Sequence, residues 1–162
     1  TVGINGSDGY ILEADYINKA ELGEVGKIRK VNSHLLENLL SDGFYPVLTP
    51  ISISREGKKL NVNADSAAGA VAAALQAEMC IFITDVSGIR NGEQIVKHIT
   101  ETEITQMIDQ GTIYGGMIPK VQAALAAKKQ GASTILITSG VTGFFTENKW
   151  SGTFLGAEEM VM

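Results

Sequence analysis

The sequence has 162 residues, 44% of them hydrophobic, so it can form one complete hydrophobic core but is short for two. Its formal net charge of −5, with 13 basic residues, argues against a nucleic-acid partner, which needs a concentrated basic surface. The longest apolar run, at residues 79–83, is far below the ~20 residues of a membrane span. The single cysteine, Cys80, lies inside that run. We therefore expect a single-domain cytoplasmic protein with no leader, no membrane contact and no internal disulfide.

Helical and strand-like segments alternate along the chain. Apolar spacing, capping residues and glycine stops predict the helices, and short apolar or β-branched runs predict the strands. Thr100 and Glu103 have the spacing of a capping box. In chain order, the predicted elements are a helix between Ser33 and Gly43, a strand at 44–48, a hairpin at 51–54 and 58–62, a helix at 66–75, a buried strand at 79–84, helices at 102–110 and 119–129, a strand at 133–138 and a final edge strand at 150–155.

This alternation, with its short connections, predicts an α/β fold with a mainly parallel sheet and helices on both faces. Ligands bind such sheets beyond the carboxyl ends of the strands. Two loops meet that condition, one at residues 85–90 and one that starts at residue 139. The first is the better candidate, because the strand before it ends in a polar, glycine-containing turn.

The run Gly115-Gly116-Met117-Ile118-Pro119-Lys120 places a lysine in the first turn of a predicted helix. Pro119 suits the first helical position, because it has no N–H to leave unpaired there. A cation near the positive end of the helix dipole costs roughly 0.3–1 kcal/mol, whereas a phosphate bound by the free helix amides would reverse the sign. Two interpretations stay open: an anion-binding site, or a glycine turn before a surface helix with a solvated lysine.

Two further polar segments allow both a structural and a functional interpretation. Asn63 is a natural N-cap and Asp65 belongs in the first turn of the helix that follows. With Asn61, they form either an ordinary helix start or a cluster that holds an anionic substrate and orients Lys120. The turn at residues 84–89 either contacts the base or ribose of a nucleotide or simply connects two elements.

The sequence does not match three other functional motifs: a phosphate loop, a histidine triad and a zinc site. The glycines at 23 and 26 precede Lys27 as in a phosphate loop, but their spacing is short and Ile28 occupies the hydroxyl position. His34 and His98, the two histidines, lie among polar neighbours, so neither a histidine triad nor a zinc site has the partners it needs.

Three runs together resemble a known family. They are NVNADSAAGAVAAAL at 61–75, IFITDVSGI at 81–89 and GGMIPKVQAAL at 115–125, and they are similar in order and spacing to the acetylglutamate kinases of the amino acid kinase family. The stretch from residue 1 to residue 52 is similar as well. The resemblance implies a kinase that transfers the γ-phosphoryl group of ATP to the side-chain carboxylate of N-acetyl-L-glutamate in arginine biosynthesis.

The resemblance also implies roles for individual residues. Lys120 and Asp65 would be catalytic, Lys120 by neutralising charge on the transferring phosphoryl group and Asp65 by orienting lysines. Asn61 would hold the substrate's α-carboxylate, with Asn63 close by. Mg²⁺ would enter with ATP, held by phosphate oxygens and water rather than by a protein metal site. The nucleotide would be bound by Thr84, Asp85, Val86, Ser87, Gly88, Ile89, Thr112, Tyr114, Gly115, Gly116, Met117 and Lys120.

The chain also departs from the family pattern. Members begin with a strand that carries a lysine and a glycine-rich phosphate loop, and none of that lies before Thr1. The chain therefore resembles the carboxyl-terminal two-thirds of the enzyme. It would comprise a nucleotide lobe with part of the acyl-substrate lobe at about 1–64, and we do not expect activity from it without the missing part. The tail at 144–162 departs too.

Three functional hypotheses remain from the sequence. The first is an acetylglutamate kinase, which as a family member would form a homodimer. The second is a related kinase that acts on another acid, such as an aminoadipate derivative or carbamate. The third is a non-catalytic, nucleotide-binding regulatory subunit.

Overall fold

A computed structural model describes residues 1–141, 144–147 and 149–156, and the chain divides into two compact units, Thr1–Leu75 and Gln76–Met162. The assignment of residues 1–162 to one domain, with a lobe boundary near residue 64, stays a prediction. In the described ranges, no helix is long and apolar enough to cross a membrane.

The first unit combines two small sheets with three α-helices and a short 3₁₀ helix at Asp8–Tyr10. Strand β1 pairs with β4 in parallel, and a second sheet has the order β3-β2-β5-β6, in which β2 and β5 are parallel and the other pairs antiparallel. Its elements are β1 (Val2–Asn5), β2 (Leu12–Tyr16), α1 (Lys19–Leu22), β3 (Gly26–Val31), α2 (His34–Ser41), β4 (Pro46–Thr49), β5 (Ile51–Ile53), β6 (Lys59–Asn61) and α3 (Ala64–Ala74).

A buried apolar cluster fills the first unit. Helix α3 contributes Ala67 to it. Gly69 and Ala72 of the same helix are buried as well, and small side chains let a helix pack closely. The predicted hairpin is confirmed as β5 and β6, with Gly57 at φ 76° in the turn. The cluster consists of Ile11, Leu12, Ala14, Leu36, Leu60, Val62 and Ala67.

Strands β1, β2 and β3 were not predicted. The apolar and polar residues of β2 alternate, which is the period of a half-buried strand and could have identified it. Three of the six residues in β3 are basic, so its strand pattern is hidden; two of them, Arg29 and Lys30, form salt bridges with Glu13 of β2.

The second unit is built on a four-stranded sheet with the order β10-β14-β11-β7. Strand β11 pairs with β7 in parallel, and β10 with β14 in parallel, whereas β11 and β14 are antiparallel. Its elements are β7 (Met79–Thr84), β8 (Arg90–Asn91), β9 (Gln94–Ile95), β10 (His98–Ile99), α4 (Glu101–Asp109), α5 (Met117–Lys129), β11 (Thr134–Ser139), β12 (Phe145–Thr146), β13 (Lys149–Trp150) and β14 (Thr153–Gly156).

The α/β class with parallel strand pairs is confirmed, and one strand position is corrected. The edge strand predicted at 150–155 is wrong, because β14 lies inside the sheet between β10 and β11. Thr153, Phe154 and Leu155 are all buried there, as residues of an internal strand are. Of the predicted loop after β11, Gly140 is described, whereas Gly143 and the last six residues of the tail lie outside the described residues.

Helices α4 and α5 begin with different signals. The capping box of α4 is confirmed: the Thr100 hydroxyl accepts from the Glu103 amide, and the Glu103 carboxylate accepts from the Thr100 amide. Helix α5 begins at Met117, so Pro119 is the third helical residue and not the first. Proline is tolerated there because the first turn has no intrahelical partner for its missing N–H.

Candidate functional site

A cavity of about 550 Å³ lies in the second unit. Three parts of the chain line it: the end of β7 with the turn that follows, the connection between α4 and α5, and the first turn of α5. The lining residues are Thr84, Asp85, Val86, Gly88, Ile89, Arg90, Thr112, Ile113, Tyr114, Gly116, Met117 and Lys120.

Hydrogen bonds and close packing hold the turn after β7. Because β7 and β11 run in parallel, their carboxyl ends meet at one edge of the sheet, where the Gly140 amide donates to the Thr84 carbonyl at 3.0 Å. The Ile89 amide donates to Thr153 Oγ1 at 2.8 Å. Gly88 has φ 143°, and a Cβ there would lie 2.7 Å from that same oxygen, so only glycine fits.

The connection between α4 and α5 forms a second wall of the cavity. The amides of Thr112 and Ile113 both donate to the Met107 carbonyl, at 2.8 and 3.0 Å, so the chain folds back on the end of α4. Ile113 is 2% exposed, whereas the next residue, Tyr114, is 75% exposed. One residue therefore anchors this segment while its neighbour presents an aromatic ring.

The start of α5 offers fewer free amides than the sequence suggested. The Met117 and Ile118 amides donate to the carbonyls of Tyr114 and Gly115, each at 3.2 Å, and Pro119 has no N–H. A helix terminus binds anions through amides that lack a partner. Attraction of an anion to this cavity therefore depends mainly on its charged side chains, of which Lys120 is one.

The cavity carries an excess of positive charge. Lys120 and Arg90 are cations, and Asp85 is the carboxylate among the described lining residues. One Asp85 oxygen accepts a hydrogen bond from the Thr84 hydroxyl at 3.0 Å. Within the described ranges, no group of three or more histidine, cysteine, aspartate or glutamate side chains is placed to hold a metal ion.

The structure brings ten of the twelve predicted nucleotide-binding residues around this cavity; Ser87 and Gly115 are not among its lining residues. Arg90 and Ile113, which were not named individually as nucleotide-binding residues, also line the cavity. Arg90 ends the loop at 85–90 that the sequence favoured for a ligand, and Ile113 lies between two predicted residues. That these residues bind a nucleotide stays a prediction.

The other predicted site residues belong to the first unit. Asn61 ends β6, and Asn63 is the N-cap of α3, where its Oδ1 accepts from the Ser66 amide at 2.9 Å. Asp65 lies in the first turn of α3 and is partly buried. The structural role of Asn63 as a cap is thus confirmed. The substrate contacts of these residues, and the partnership of Asp65 with Lys120, stay predictions.

Comparisons with known proteins place the chain in a family. The model of the amino acid kinase family matches residues 1–139, and the chain belongs to that family. Over 152 residues it is 46% identical to the acetylglutamate kinase of Bacillus licheniformis, covering 94% of this chain and 59% of the relative. Over 157 residues it is 45% identical to that of Geobacillus stearothermophilus, covering 97% and 61%. The chain thus spans about 60% of the length of these curated relatives.

A solved structure supports the fold. The crystal structure of smu.665 from Streptococcus mutans superposes with a TM-score of 0.79 at 33% sequence identity, covering 91% of this chain and 57% of that one. Here too the match covers most of this chain and little more than half of its relative.

Proposed function

We propose that the chain is the nucleotide lobe of an acetylglutamate kinase with part of its acyl-substrate lobe at about 1–64. This enzyme transfers the γ-phosphoryl group of ATP to the side-chain carboxylate of N-acetyl-L-glutamate. One observation carries the proposal: residues from the turn at 84–89 and from the run at 115–120, far apart in sequence, line a single cavity. Both segments belong to the runs that resemble this enzyme, and the relatives at 45–46% identity are named acetylglutamate kinases.

The shape of the cavity supports a nucleotide ligand. Its volume of about 550 Å³ falls within the roughly 300–1,000 Å³ that small-molecule sites occupy. Buried Ile89 and Ile113 provide an apolar surface for a base, while Lys120 provides a cation for phosphates. Mg²⁺ bound with ATP would neutralise phosphate charge, held largely by phosphate oxygens and water.

The proposed reaction needs positioning and charge stabilisation more than proton transfer. An acceptor carboxylate is ionised at neutral pH, so it can attack without a general base. Lys120 stabilises the negative charge that spreads over the transferring phosphoryl oxygens. Asn61 holds the α-carboxylate of the substrate, and Asp65 orients the lysine side chains.

The test is an acyl-phosphate assay on the intact natural protein. With ATP, Mg²⁺ and N-acetyl-L-glutamate, hydroxylamine should trap a hydroxamate that forms only when all three are present. N-acetyl-L-aminoadipate and carbamate, offered at equal concentration, should be turned over much more slowly. If no hydroxamate forms from N-acetyl-L-glutamate, the proposed substrate is wrong.

A binding measurement separates catalysis from nucleotide binding alone. We expect ATP to bind the intact protein in a calorimetric titration at millimolar Mg²⁺. ATP binding without turnover of any of the three acids would indicate the non-catalytic regulatory subunit instead.

A further inference from the structure

Arg90 is the cavity residue whose role is unexplained. It begins the two-residue strand β8 and pairs with Ile95 of β9, which fixes its backbone beside the cavity that it lines. Its side chain is exposed, and within the described part of the chain it forms no salt bridge and no side-chain hydrogen bond. The guanidinium group of Arg90, which has no such partner among the described residues, is therefore available to a ligand in the cavity.

Several of the residues that line the cavity together with Arg90 are apolar. Ile89 and Ile113 are 1% and 2% exposed, and Val86 also lines the cavity. Tyr114 presents a ring that is 75% exposed and, among the described residues, stacks on no other aromatic side chain. A planar guanidinium stacks well on aromatic rings, in contrast to the compact, strongly hydrated ammonium of a lysine.

We propose that Arg90 is a further nucleotide-binding residue, which packs its guanidinium plane on the base of the nucleotide at the part of the cavity lined by Tyr114. The inference rests on the proposed function, because it assumes that the cavity binds ATP. It divides the two cations between two tasks: Lys120 acts on the phosphates, and Arg90 on the base. Arg90 therefore contributes affinity that does not depend on how many phosphates the ligand carries.

The test measures the dissociation constants of ATP, ADP and AMP for the intact natural protein and its variants by calorimetry. Arg90→Ala should weaken all three ligands by a similar factor, about tenfold, as removal of one base-stacking partner does. Arg90→Lys retains the charge but not the plane, so it should resemble Arg90→Ala. Lys97→Ala is the matched control, because Lys97 is an exposed cation of the same unit that does not line the cavity.

The other outcomes overturn the inference in different ways. If Arg90→Ala weakens ATP far more than AMP, and Arg90→Lys restores affinity, then Arg90 contacts phosphate. If the wild-type protein binds ATP and Arg90→Ala binds it equally well, the inference fails while the proposed function stands. If the wild-type protein binds no nucleotide, the proposed function fails, and this inference fails with it.

Discussion

The backbone amide of Ile89 donates to the Thr153 hydroxyl at 2.8 Å, across 64 positions of sequence. Thr153 is 1% exposed and begins β14, an internal strand of the sheet, whereas Ile89 ends the turn that lines the cavity. Since both residues are buried, neither group of this pair has ready access to water. The sheet thus fixes the cavity turn through one buried side chain.

We predict that Thr153→Val destabilises the protein and weakens ATP binding in the cavity. Valine has a similar shape but no acceptor, so the buried Ile89 amide loses its partner at a cost of about 1–3 kcal/mol. Denaturant unfolding should show this loss, and calorimetry should show weaker ATP binding. Thr153→Ser retains the hydroxyl and should preserve most of both; equal damage from the serine variant would indicate that the methyl group matters instead.

Gly88 and Gly92 form a matched pair for testing how tightly the turn is packed. Both have positive φ, 143° and 64°, but a Cβ on Gly88 would meet Thr153 Oγ1 at 2.7 Å, whereas a Cβ on Gly92 would meet nothing within 4 Å. Gly92→Ala should therefore cost about 1 kcal/mol of backbone strain. Gly88→Ala should cost more and reduce ATP affinity as well. Similar losses in the two variants would show that the packing around Gly88 relaxes freely.

Lys120→Ala should lower kcat of the intact protein much more than it weakens ATP binding. The reason is that the ammonium charge is needed most where negative charge develops in the transition state, and loss of one such group costs about 100-fold or more in kcat. Lys129→Ala is the control on the same helix, because Lys129 pairs with Glu101 outside the cavity. Full kcat in Lys120→Ala would remove the residue from the proposed mechanism.

Asp65→Asn separates the catalytic role from the helix-start role. Asparagine keeps the size of the side chain in the first turn of α3, so the melting temperature should change little while kcat falls strongly. Asn63→Ala should lose about 1 kcal/mol of stability with the cap bond to Ser66, a loss that Asp65→Asn should not show. If Asp65→Asn loses stability and keeps its activity, Asp65 stabilises the start of α3 and has no role in catalysis.

The sequence predicted those elements whose structure depends on residues close together in the chain. Strand β7 is a continuous apolar run, and the capping box at Thr100 and Glu103 depends on residues three apart, so both could be read from the sequence. Most of the cavity was predictable for a related reason: its residues follow a strand end or precede a helix within a few positions.

Non-local pairing explains what the sequence could not predict. Strand β14 is internal because Ile135 pairs with Leu155 and His98 with Phe154, and no property of residues 153–156 alone specifies those partners. Strand β8, which begins at Arg90, was not predicted because a two-residue strand has no period to detect. The expectation of free amides at the start of α5 was wrong for Met117 and Ile118. Their N–H groups already donate to carbonyls of the turn before the helix.

The capping box of α4 gives a pH dependence with a definite sign. Hydrogen bonds from the Thr100 hydroxyl and amide hold the pKa of Glu103 below its ordinary value of 4.5. A lowered folded-state pKa means that the unfolded chain binds the proton more readily, so this stabilisation is fully present above pH 4.5 and is lost as the pH falls through the folded-state value. Glu103→Gln keeps a capping side chain but cannot titrate. The stability difference between wild type and Glu103→Gln, measured by urea unfolding from pH 6 to pH 3, should therefore shrink on the acid side, and a difference that stays constant would contradict the lowered pKa.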